Sequence, residues 1–135
     1  MTIQLSIAVR NARLDAIETA IGTAAVLKLR TGAQPANCAA ADSGTVVISY
    51  TLASDWAASA VNGSKSFSGT PIIGAASAGG TLAHYRIYAA DGTTCHKQGS
   101  ITQTGGGGDM TVDNISVNSS QTVQITSWAL TDGNA

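Results

Sequence analysis

From Gln4 to Ile21 the large aliphatic residues Ile7, Leu14, Ile17 and Ile21 recur at steps of seven, three and four, the period of one helix face. Gly22 follows at once, the residue type that ends helices because it accepts a left-handed backbone. Alanines 8, 12, 16 and 20 add a second, shallow stripe. The spacing predicts a helix over 4–21 that can bury two faces, one on its own sheet and one on another chain. Beyond Gly22 the period shortens to two. AVLKLRT (25–31) and TVVISYTL (45–52) read as strands around GAQPANCAAADSG (32–44), a loop by its Pro, Asn, Asp and Gly. SDWAASAVNGSK (54–65) reads as a short helical turn capped by Ser54 or Asp55, followed by an NG turn, SFSG, and PII around Pro71.

TLAHYRIYAA (81–90) predicts the main core strand, with Leu82, His84, Arg86 and Tyr88 on one face and Ala83, Tyr85, Ile87 and Ala89 on the other. Asp91–Gly92 turns it back into TTCHKQGSITQT. The four glycines at 105–108 are followed by Asp109 and a Val/Ile/Thr-rich segment, with no lysine and no helix start. They therefore turn the chain between two strands and do not cradle a phosphate. With TVQITSWALT (122–131) the pattern amounts to about eight short strands. The expected fold is mainly β, an antiparallel β-sandwich of jelly-roll type (23–135) preceded by one N-terminal α-helix (1–22).

Charge narrows the function. Of 135 residues only 11% are charged and the formal net charge is −1, so no field exists to gather nucleic acid or an anionic membrane. No apolar run reaches the roughly 18–20 residues that cross a bilayer, and the first residues lack the order of a secretory signal, which makes the cytoplasm the expected place of synthesis. A smooth, weakly charged surface suits a protein packed against neighbours. Within the helix, Arg10 and Arg13 lie toward the positive end and Asp15 and Glu18 toward the negative end, the reverse of what the macrodipole favours. Either these side chains have partners off the helix or they form an ordinary solvated face.

Chemistry is sparse. Most acids (Asp42, Asp91, Asp109, Asp113, Asp132) sit beside turn residues, where Asx side chains bond local backbone. Asp109, Asp113 and Asn114 lack the spacing of a calcium loop. Cys38, Cys95, His84 and His96 lack that of a zinc finger. The two cysteines read as buried thiols, with a Cys38–Cys95 disulfide as the alternative. His84 and His96 belong to adjacent strands whose register sequence leaves open. No enzyme, cofactor or metal site is expected.

The segments LSIAVRNARLDAIETAIG, LKLRTGAQPANCAAADSGT, HYRIYAADGTTCHKQGSI, GGGGDMTVDN and QTVQITSWALTDGNA resemble a group of small tailed-bacteriophage virion proteins over nearly the whole chain. The resemblance implies a virion structural protein, made in the host cytoplasm and carried on the capsid surface. The preferred role is capsid decoration, or cement, in which the major capsid protein is the partner and the chain works as a dimer or trimer. The helix is then the attachment or oligomerisation element, through Leu5, Val9, Arg10, Arg13 and Ile17. Two alternatives stand beside it: a tail, neck or fibre component, and a virion-surface carbohydrate-binding module using Tyr85, Tyr88 or Trp56.

Overall fold

The computed structural model describes residues 2–69 and 72–133; Pro71 of the PII segment lies outside the described residues. The chain is mainly β with one N-terminal helix. Helix α1 (Ile7–Ile21) begins where the Ser6 side chain accepts the Val9 N–H, and it ends where Gly22, at φ 87°, donates its N–H to the Glu18 carbonyl. Among the described residues nine strands follow: β1 (Val26–Thr31), β2 (Val46–Thr51), β3 (Ser64–Ser66), β4 (Ile72–Ala75), β5 (Gly80–Tyr88), β6 (Cys95–Gln103), β7 (Met110–Val112), β8 (Ser116–Val117) and β9 (Thr122–Thr131).

They form one curled sheet in the order β2-β1-β5-β6-β7-β9. The far edge of β9 takes β4 along residues 122–125 and β3 along 129–131, and β8 joins the start of β5 where β6 does not reach. The curl brings the ends together: Tyr50 of β2 donates its hydroxyl to the Val123 carbonyl of β9 at 3.3 Å and lies against Gly74 of β4. The result is a half-barrel. Its sheet is mixed, not antiparallel throughout as the sequence predicts, because β6 and β7 run parallel from Ile101↔Met110 to Gln103↔Val112.

The glycine run explains that departure. Parallel neighbours ordinarily need a long crossover, yet here residues 104–109 fold straight back beside β6. Gly105 and Gly107 take φ 90° and 77°, and a Cβ on Gly106 or Gly108 would press to 2.7–2.9 Å on Thr102. Thr102 Oγ1 accepts the Gly108 N–H, and Asp109 accepts both the N–H and the hydroxyl of Ser100. The run is a tight return held by its own side chains.

The core lies inside the curl. Phe67 stacks on Trp128 at 4.4 Å between ring centroids, and Trp56 tilts against both. Trp128 Nε1 donates to Tyr85 Oη at 2.9 Å, joining β9 to β5 across the interior. Leu14 and Ile21 of α1 are buried and Ile17 packs on the same core, so the helix shares the core of the β-body.

Candidate functional site

The expected NG turn forms at Asn62–Gly63, but the helical turn expected before it does not, and the reason lies in α1. Asn11, Asp15 and Glu18 recur at helical spacing and form one polar stripe. Asn11 accepts the Gly63 N–H at 2.8 Å, Asp15 the Ala60 N–H at 2.9 Å and Glu18 the Ala57 N–H at 3.0 Å. Donors three residues apart in an irregular segment thus find acceptors along a helix. An N-cap signal in the sequence cannot announce partners 39 to 52 residues away.

Lys65 closes the arrangement from below. Its side chain is 1% exposed, and its ammonium lies 2.9 Å from Asp15 Oδ1, Glu18 Oε2 and the Ala58 carbonyl. Burial pushes the lysine pKa down, but Asp15 and Glu18 outweigh it and leave it raised. The hydrogen bond from Lys65, with that from Ala60 N–H, holds Asp15 below the ordinary carboxylate value. At the other end Arg10 Nε donates to the Asp132 carbonyl at 2.6 Å, and Arg13 pairs with the Asp132 carboxylate at 3.1 Å. The reversed charge layout therefore does mark partners off the helix, and they belong to the same chain.

Of the five residues expected to make the attachment face, Val9 is exposed and Arg13 mostly so, Leu5 is half-buried, Arg10 is held by Asp132, and Ile17 turns toward the core. The structure adds residues that the period-based reading placed inward or did not single out. Ile3, Ile7 and Val61 are 74%, 53% and 64% exposed, and with Val9 they are the large apolar side chains left outside among the described residues. Val61 belongs to the turn that Arg10 and Asn11 hold against the helix. Ile7 falls on the bulky stripe, yet it is left in solvent while Leu14 and Ile21 of the same stripe are buried. A groove of about 600 Å³ runs between α1 and β9, lined by Arg13, Leu14, Ile17, Leu130 and Asp132.

A second constellation covers the outer face of β1, β5 and β6. Loop 32–44 folds over this face and is fastened by polar side chains from beneath. The Arg86 guanidinium, 1% exposed, donates to the carbonyls of Asn37, Cys38 and Ala40, to the Asp42 carboxylate at 2.5 Å and to Cys95 Sγ at 3.1 Å. Tyr88 donates to the same carboxylate at 2.7 Å, and Arg30 pairs with it at 3.2 Å. Burial raises the Asp42 pKa, but Tyr88, Arg30 and Arg86 outweigh it and leave it lowered. His84 Nδ1 lies 2.9 Å from the Gly32 carbonyl, which assigns its proton to that nitrogen, and the fully buried ring is pushed by burial toward its neutral form. An arginine fork on three carbonyls and a carboxylate saturates its donors. This layer fixes a loop.

The remaining candidates do not assemble. His84 pairs with Ser100 across β5 and β6, which places exposed His96 far from it. Asp113 accepts the Gln124 N–H and Asn114 bonds Ser116, so both serve the local turn. Among the described residues no group of three or more His, Cys, Asp or Glu is placed to hold a metal ion, and no helix is long and apolar enough to cross a membrane. Tyr85, Tyr88 and Trp56 are buried and present no face to a sugar ring. No family model, no curated protein and no solved structure matches the chain.

Proposed function

We propose that the chain is a non-enzymatic phage virion structural protein that decorates the capsid, binding the major capsid protein through the outer side of its N-terminal helix and bridging neighbouring shell subunits as a dimer or trimer. The observation that carries this reading is the exposed aliphatic set Ile3, Ile7, Val9 and Val61 at one end of a helix whose opposite side is locked to the β-body. A helix held rigidly and left apolar outside loses little freedom on docking. Low surface charge and repeated modest contacts suit a shell protein that gains its hold by avidity. The curled sheet, whose halves meet through Tyr50–Val123 and Tyr85–Trp128, serves as the rigid sandwich-type body of the jelly-roll class.

The test is the copy number relative to the major capsid protein in purified particles, measured for the wild type and for Ile7→Asp/Val9→Asp. Hundreds of wild-type copies, lost in the double variant while its isolated fold persists, would support decoration through the helix. A dozen or so would assign the protein to the tail or neck, and none would end the virion reading. Arg10 and Arg13 are unsuitable for this test, because reversing their charge would first loosen the helix from Asp132.

A further inference from the structure

Cys38 lies in the covering loop and Cys95 opens β6, and the sequence places 56 residues between them. Strict alternation from Lys97 would point Cys95 into the core. A bulge prevents this: Ile87 pairs with Lys97 but Tyr88 pairs with Cys95, leaving His96 as the extra residue and turning Cys95 to the Arg86 side. One guanidinium then holds both cysteines, through Nε to Cys95 Sγ at 3.1 Å and through Nη2 to the Cys38 carbonyl at 2.8 Å. The Cys95 thiol also reaches the Lys97 carbonyl at 3.4 Å, and burial, followed by the nearby Cys38 side chain, raises the Cys95 thiol pKa. Both residues are half-buried, so a small reagent can reach them.

We infer that Cys38 and Cys95 are a pre-positioned dithiol that oxidises to an intramolecular disulfide, a covalent modification site that fastens loop 32–44 to the sheet. The co-reactant is a low-molecular-weight disulfide. One protein thiolate attacks it and displaces a small thiol, forming a mixed disulfide. The second cysteine gives up its proton and attacks the protein sulfur of that bond, displacing the other small thiol. Two electrons leave the protein dithiol, the small disulfide is reduced to two thiols, and the atoms balance. Because the loop is already held in place by Arg86, Arg30, Tyr88 and Asp42, the second step needs little rearrangement. A bond closing so long a loop removes much of the freedom of the unfolded chain. The inference is independent of where the protein sits in a particle.

The experiment uses the full purified chain, reduced and then equilibrated with oxidised glutathione, with thiol counting, non-reducing peptide mapping and thermal melting. Expected are loss of both thiols, a Cys38–Cys95 cross-linked peptide in a chain free of glutathione, and a Tm raised by about 7–14 °C over the reduced form. Cys38→Ala and Cys95→Ala, each with one thiol, should stop at the glutathione adduct or remain free. Wild-type protein that keeps two free thiols, ends as a stable glutathione adduct or yields chain-to-chain disulfides would overturn the inference. A cross-link that left Tm unchanged would overturn the fastening role.

Discussion

Replacing Lys65 by Met removes the cation beneath the helix and leaves Asp15 and Glu18 facing each other, each keeping only its backbone N–H partner. Breaking a fully buried ion pair costs about 3–5 kcal/mol. Asp15 is 43% exposed and Glu18 18%, so water screens part of the repulsion, and about 2–3 kcal/mol is expected at neutral pH. An unfolding entropy of about 2.1 cal/mol/K per residue over 135 residues makes each kcal/mol worth about 3.5 °C, hence a drop in Tm of about 7–10 °C. The sign with pH follows from linkage. Asp15 is held below its ordinary value, so its contribution is present above about pH 4 and fades as pH falls through the lower folded value. Lys65 is raised, so its contribution is present below about pH 10.4 and fades as pH climbs through the higher folded value. The gap between wild type and Lys65→Met should therefore narrow from pH 7 to pH 3 in urea titrations. The triple change Lys65→Met, Asp15→Asn, Glu18→Gln, which keeps acceptors for Ala57 and Ala60, should recover most of the loss. A gap below about 0.5 kcal/mol at pH 7, or one constant down to pH 3 in folded protein, would refute the reasoning.

Two further predictions rest on single sites. Gly108→Ala would drive a Cβ to 2.9 Å from the Thr102 backbone nitrogen and should cost about 1–3 kcal/mol in chemical denaturation, whereas Gly133→Ala, with open space around it, should be neutral. For His84 the pKa is lowered, chiefly by burial and further by Arg30 and Arg86 against the pull of the Gly32 carbonyl. Its contribution is thus present above about pH 6.5 and lost as pH falls through the folded value. Unfolding free energy should decline between pH 7 and pH 5, and His84→Gln should flatten that slope; His84 imidazole NMR resonances, assigned by their loss in that variant, that titrate at about pH 6.5 in the folded protein would contradict it.

Much of the local structure was legible in the chain. Gly22 ends the helix, the Asp91–Gly92 turn joins β5 to β6, and alternation assigns the faces of β5 correctly from His84 to Tyr88, whereas a bulge at Ala83 turns Leu82 to the core and away from the His84, Arg86 and Tyr88 face on which the pattern places it. These features depend on backbone preference and near neighbours, which a linear pattern records. The attachment face was legible only in part: the helix could be found, but which of its residues stay outside depends on what packs against each of them, so Ile7 reads as core and is exposed.

The sequence by itself determined a mainly β domain with one leading helix, weak surface charge and no expected catalytic set, because composition and period act residue by residue. Tertiary structure decided the rest through contacts distant in the chain. It kept residues 54–60 out of a helix by supplying acceptors from α1, buried Lys65 between two carboxylates, and turned the glycine run into a parallel return. A one-residue bulge brought Cys95 to the side of Cys38, since side chains on a strand change face with every residue and a single extra one reverses all that precede it.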